Sequence, residues 1–248
     1  MALQSIQQRV RYAAVGIGVL CGTIANSAFA GPSWDGDDEA DAGQTLATAQ
    51  VIVTDPAWSM IMVTGRLRGA GLVGSDYVDM YRIHVSSQTY ISFSTAGGSL
   101  GGSADFDTQL FLFQHKGGSG NNQRAIAYRG NNNAAPGNSG SRLQDPNGEV
   151  PNAVRVSPGW YYLAVVGVGT FAFDDENRAI WPNLGNPGDV IDGLGNSLNN
   201  WAGEGETGSY AISIRSVNPQ NLPSPAALTL LGAGTLFSRR RRARTLGA

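Results

Sequence analysis

Apolar and polar positions alternate with a period of two in eight stretches of this chain: residues 58–67, 80–85, 89–95, 108–113, 125–129, 153–157, 160–168 and 209–217. A period of two sends successive side chains to opposite faces of a strand, so Leu110 and Leu112 share one face, as do Tyr210, Ile212 and Ile214. The intervening segments GGSLGGS, KGGSGNN and GNNNAAPGNSGS are rich in residues that reach positive φ at little cost, which suits tight connections between antiparallel strands. The pattern predicts an all-β fold: an antiparallel β-sandwich, jelly-roll-like, with inward-facing alternate residues as its core. Only residues 40–50 offer a helical turn or two. No internal repeat or second domain is visible, and residues 31–217 are read as one unit.

Both ends break the pattern. Residues 1–30 join a basic start with Arg9 and Arg11, an apolar run AAVGIGVLCGTI, and the small-x-small sequence formed by Ala28, Phe29 and Ala30. This predicts a secretory signal helix cut by signal peptidase after Ala30. The single cysteine, Cys21, follows Leu20 rather than the small residue that lipidation requires, and cleavage after Ala30 leaves no cysteine and no disulfide. At the other end, Pro223, Ser224 and Pro225 keep the chain extended ahead of a twelve-residue apolar run, 226–237. As a helix this run is roughly 18 Å long, well short of the roughly 30 Å hydrocarbon core. The cluster Arg239, Arg240, Arg241 and Arg242 resists translocation, so the segment predicts transient insertion in the inner membrane with the body outside.

Charge sharpens this division. All 19 acidic residues fall between Asp35 and Glu206, and residues 31–217 hold 10 of the 17 basic residues, a net charge of −9 for the body. A body this acidic argues against a nucleic-acid partner, and the terminal arginines act locally.

The order of Pro-Ser-Pro, a short Leu/Gly/Ala helix and an arginine cluster over 218–248 resembles the PEP-CTERM sorting signals processed by exosortases, with Ser224 where that family usually has glutamate. The resemblance implies cleavage near Pro223 to Pro225 by an exosortase, and a cell-envelope or extracellular location. In the body, DAGQTLATAQ (41–50), SDYVDMYRIHV (75–85), DFDTQLFLF (105–113), VSPGWYYLAVVG (156–167) and GSYAISI (208–214) resemble the bacterial pre-peptidase C-terminal domain, which implies a β-sandwich. The chain departs from that pattern in two places. Asp76 and Asp79 are three apart rather than two, and residues 171–206 form a long insertion before the last strand.

Catalytic chemistry is poorly represented. The chain has two histidines, His84 and His115, both read as structural or solvated, and none of the nucleophile-elbow, phosphate-loop or zinc-protease motifs. Carboxylate pairs such as Asp105 with Asp107 or Asp174 with Glu176 are the material of a glycosidase only if the fold sets them across a sugar. Calcium is better motivated. Asp35, Asp37, Glu39 and Asp41 alternate, so an extended segment lines up four carboxylates, and Ca²⁺ takes six to eight oxygen ligands. The alternative is a solvated amino-terminal segment. Asp76, Asp79, Asp105 and Asp107 form a second candidate group, for which strand-end capping is the alternative. In the insertion, Phe171, Phe173, Trp181 and Trp201 are candidate platforms for extracellular polysaccharide, or else a lid folded over exposed core.

These readings give an exported, non-enzymatic structural or interaction module. A calcium-dependent carbohydrate-binding or adhesive module is the alternative, and a glycosidase comes third.

Overall fold

The structure is a computed structural model and describes residues 41–52, 60–71, 74–144, 150 and 153–217. The signal helix, the sorting segment, and Asp35, Asp37 and Glu39 lie outside the described residues.

In chain order the strands are β1 (Gln50–Ile52), β2 (Met60–Leu67), β3 (Gly69–Gly71), β4 (Gly74–Asp76), β5 (Val78–Val85), β6 (Thr89–Ser94), β7 (Ser103–Ala104), β8 (Thr108–His115), β9 (Ala125–Asn131), β10 (Arg142–Leu143), β11 (Val154–Val156), β12 (Gly159–Gly167), β13 (Phe171–Phe173), β14 (Ile191–Asp192), β15 (Asn200–Ala202) and β16 (Gly208–Val217). Each of the eight alternating stretches contains a strand. The shorter strands lie in segments whose composition reads as turns.

Two sheets pack face to face. The first runs β1-β5-β12-β8-β9-β14; the second runs β10-β6-β16-β2, with β11 also on β6 and β7 also on β16. The chain passes repeatedly between them: β5 in the first sheet leads to β6 in the second, β8 and β9 return to the first, β11 lies in the second, β12 in the first and β16 in the second. The sandwich is antiparallel apart from one edge, where β1 pairs parallel with β5 and Val51 stands opposite Arg82. A three-residue strand buried on one side carries too little period-two signal to show this in the sequence.

The space between the sheets is filled as the alternation requires. Tyr81, Ile83, Leu110, Leu112, Leu163 and Val165 of the first sheet meet Val63, Ile91, Phe93, Ile212 and Ile214 of the second in one buried cluster. The first sheet is also covered on its outer face. There Val78, Met80, Phe111, Phe113, Ala164 and Val166 pack beneath Ala172, Ile180, Trp181 and Leu198 of the 171–206 insertion. This second layer explains why GWYYLAVVG in β12 is apolar almost throughout, as strands buried on both faces are. Gly130 allows the close approach: a Cβ there would lie 3.0 Å from the Phe111 ring and 3.1 Å from Trp181.

Candidate functional site

The segment before β1 docks on the start of β5. The Met80 N–H donates to the Gly43 carbonyl at 2.9 Å, the Gln50 N–H to the Ala42 carbonyl at 3.1 Å, and the Gln44 amide to the Ser75 carbonyl. Residues 45–49 close a single turn, with the Ala49 N–H donating to the Thr45 carbonyl. Ala42 and Gly43 are buried by this docking, and Asp41 is left exposed at its edge.

The docking carries Asp41 to Asp76 and Asp79. One carboxylate oxygen from each of the three lies within 4.8 Å of the others. At about that separation, with an effective dielectric of about 20, each pair of ionised carboxylates repels by roughly 3 kcal/mol or more. Each carboxylate is positioned by its own framework. Asp41 Oδ1 accepts the Gly43 N–H at 3.2 Å, and Asp76 Oδ2 accepts the Arg68 N–H at 2.8 Å. Asp79 is fully buried, and its Oδ2 accepts the Tyr210 hydroxyl at 2.5 Å. Tyr210 in turn lies 2.5 Å from the Tyr81 hydroxyl. Because the Tyr210 proton is committed to Asp79, Tyr81 is the donor of that second bond. Burial first, then the adjacent Asp79 carboxylate, pushes the Tyr210 hydroxyl well above its ordinary pKa, so it remains a donor.

The donor set suits a hard cation: all-oxygen, acidic, and partly open to water at Asp41. Among the described residues, these three form the group with converging metal-ligating side chains, and it contains neither Asp105 nor Asp107. Those two residues meet the start of β16 instead. The Asp105 N–H donates to the Ser209 carbonyl at 3.1 Å, and the Asp107 N–H donates to Glu206 Oε2 at 2.8 Å. Burial and the nearby Glu206 charge raise the Asp107 pKa, opposed by the Asn133 amide that donates to its Oδ1.

The aromatic residues of the insertion separate by depth. Trp181 is buried, stacked on Phe111 at 4.8 Å between ring centres and edge-on to Phe113 at 5.4 Å. Trp201 is half-buried, 6.0 Å from Phe113, and forms one wall of a cavity of about 440 Å³. Phe173 is half-buried, whereas Phe171 is 44% exposed on β13, away from the other rings of the layer. Asp174 organises the turn beneath them. It is buried and accepts the Arg178 N–H at 2.8 Å, the Glu176 N–H at 3.1 Å and the Asn196 amide at 3.0 Å, besides an ion pair to Arg178. Its carboxylate is held in a turn of its own backbone, and Glu176 also pairs with Arg178. That arrangement is a hub for the insertion rather than two carboxyl groups facing a sugar.

Sequence reasoning passed over a second surface. On the outer face beyond the insertion, the Arg82 guanidinium lies 4.3 Å above the Trp160 ring and 5.8 Å from that of Tyr162, and His84 lies 4.7 Å from Trp160. His115 Nδ1 is 3.3 Å from the Tyr162 hydroxyl; burial, then Arg82, lowers its pKa. The signal was present in YRIHV, whose polar positions alternate and so place Arg82 and His84 on the face that Tyr81 and Ile83 leave.

The family model of the bacterial pre-peptidase C-terminal domain matches residues 77–167. That match runs from the start of β5 to the end of β12, and so takes in Asp79, Asp105, Asp107, Arg82 and Trp160; Asp41, Asp76 and the insertion fall outside it. Among solved structures, the chain is similar to the pre-peptidase C-terminal domain of collagenase from Bacillus anthracis, with 12% identity over 62% of this chain and 87% of that one and a TM-score of 0.26. No curated protein matches the chain.

Proposed function

We propose that this protein is an exported structural and interaction module of the cell envelope or extracellular matrix, with no catalytic role, in which Asp41, Asp76 and Asp79 bind a calcium ion. The observation that carries the calcium reading is the meeting of three carboxylates from separate chain segments within 4.8 Å. A divalent cation replaces their mutual repulsion with attraction and clamps the 41–50 segment to β5. The export reading rests on the sequence at both ends: Ala28 and Ala30 for signal peptidase, and the Pro-Ser-Pro segment with its arginine cluster for an exosortase. The matched pre-peptidase C-terminal region agrees with a β-sandwich module outside the cell.

The test is thermal denaturation of the purified protein with increasing Ca²⁺. Binding at about a hundredfold over Kd stabilises by about 2.7 kcal/mol, which for a domain of this size is roughly 5–10 °C in Tm. Asp76→Asn keeps an acceptor for the Arg68 N–H and removes one charge, so it is expected to lose most of the calcium response. A wild-type Tm that ignores millimolar Ca²⁺ would exclude the clamp. Mass spectrometry of the protein recovered from its native envelope tests processing: a mature chain still carrying Arg239 to Arg242 would overturn the sorting reading.

A further inference from the structure

The outer face of the first sheet is covered at one end only. The insertion seals Met80, Phe111, Phe113 and the fully buried Tyr162, while the far ends of β5 and β12 present Arg82 and Trp160, with the Arg82 guanidinium reaching over the Tyr162 ring. Arg82 takes part in none of the salt bridges among the described residues, and its buried Nε has no hydrogen-bond partner among them. In a body of net charge −9, an arginine with no ion-pair carboxylate among the described residues, its guanidinium carbon held 4.3 Å from the Trp160 ring centre, is an anion-binding fork fixed in place before any ligand arrives.

The buried Tyr162 links Arg82 to the 440 Å³ cavity. The Tyr162 hydroxyl donates to Gln123 Oε1, and Gln123 lines the cavity. The other walls come from residues 44–47, 120–121 and 198–201. They bring the amides of Gln44, Asn121, Asn199 and Asn200 to the ring of Trp201, without a single charged side chain. The buried Trp201 Nε1 has no acceptor among the described residues.

Each component selects for the same chemistry. Side-chain amides both donate and accept, as ring hydroxyls do, and an indole face packs against the C–H face of a sugar. A guanidinium fork pairs with a carboxylate through two parallel bonds. We propose that the cavity at Trp201 and Gln123, together with Arg82 and Trp160 on the other side of the buried Tyr162, binds a carboxylated polysaccharide, with hydroxyls in the amide-lined cavity and a uronate carboxylate on Arg82. This site is separate from the calcium clamp, and its failure leaves the calcium titration untouched.

The experiment is calorimetric titration of the whole protein with a soluble oligogalacturonate and with its methyl ester, at physiological ionic strength. The acid is expected to bind and the ester to bind at least about tenfold more weakly, the usual scale for losing a hydrogen bond to a charged group. Arg82→Gln should reproduce that loss. Asn121→Asp, on an exposed turn where the fold is not at risk, should do the same by placing a carboxylate in the cavity. Arg155→Gln, on the exposed side of β11 in the other sheet, should bind as wild type. Absence of binding, equal affinity for acid and ester, or an equal loss in Arg155→Gln would each overturn the proposal.

Discussion

Tyr210 donates its hydroxyl proton to the buried carboxylate of Asp79 at 2.5 Å, joining β16 of one sheet to β5 of the other across 131 residues of sequence. The bond spans the space between the sheets at the start of β5, so it ties the sheets together as well as positioning the carboxylate. Tyr210→Phe removes that donor and the acceptor of Tyr81 together. A loss of about 1–3 kcal/mol is expected, read as a fall in Tm of roughly 3–10 °C. The tyrosine also sets an alkaline limit. Its folded pKa lies well above its unfolded value near 10, so its contribution is complete below pH 10 and fades as the pH rises through the folded value. In denaturant titrations, wild-type stability should fall above pH 10 more steeply than that of Tyr210→Phe.

Gly65 makes room for this network. A Cβ on Gly65 would lie 2.2 Å from the Tyr210 hydroxyl and 3.0 Å from that of Tyr81. Both hydroxyls are fixed by their bonds, so neither ring can swing aside without breaking one. Gly65→Ala is expected to cost about 1–3 kcal/mol through overpacking. In the double variant Gly65→Ala with Tyr210→Phe the cost should be less than additive, since the nearest clashing atom is gone and the ring, released from Asp79, can move away from its remaining Cζ contact at 2.5 Å; strict additivity in urea unfolding would show that the clash is relieved elsewhere.

How much of this was legible depended on range. The eight long strands could be read because Tyr210, Ile212 and Ile214, or Leu110 and Leu112, declare a face within a few residues. Local pattern could not show that Phe111, Phe113, Met80 and Val166 were buried as well, because a strand apolar on both faces does not say what covers its second face. The insertion was visible as a length, and its lid role depended on the unseen pairing of Trp181 with Phe111. Of the two proposed acidic groups, the first was assembled from neighbours in sequence and the second from aspartates that precede strands. The fold divides them differently, drawing Asp41 from the first and Asp76 and Asp79 from the second, and sending Asp105 to Ser209 and Asp107 to Glu206. The cause is one long-range backbone bond, Met80 N–H to the Gly43 carbonyl, which no spacing rule encodes. Arg82 went unremarked because its partners are rings on a neighbouring strand.

The lid is held chiefly by Trp181. Truncation to alanine removes a buried indole stacked on Phe111 and leaves a cavity above the sheet, at an expected cost of about 3–5 kcal/mol. The sandwich core beneath does not depend on the indole, so the first effect should be local. Limited proteolysis of Trp181→Ala is expected to cut within 171–206 under conditions in which the wild type resists, before the sandwich unfolds. Cleavage that appears only together with global unfolding would show that lid and sandwich form one cooperative unit.

Acid should open the same lid through Asp174. The hydrogen bond from the Arg178 backbone is the main cause holding its carboxyl below its ordinary 3.8, aided by the Arg178 side chain and opposed by burial. A carboxyl with a depressed folded pKa adds stability that is complete above the unfolded value and is lost as pH falls through the folded one. The turn from Asp174 to Arg178 and its tie to Asn196 should therefore loosen below about pH 3.8. Asp107 has the opposite sign: burial first and then the Glu206 charge raise its pKa, so its protonation begins above 3.8, relieves both penalties and is complete before Asp174 gives way, leaving the junction at the start of β16 intact. Hydrogen exchange measured at pH 3 and pH 6 is expected to show protection falling in 172–180 and holding in 105–108 and 206–210. Asp174→Asn should start with the lid loosened and show little further change with pH. A lid equally protected at both pH values in the wild type would mean that packing on Phe111 and Phe113, and not the Asp174 hub, decides whether it stays closed.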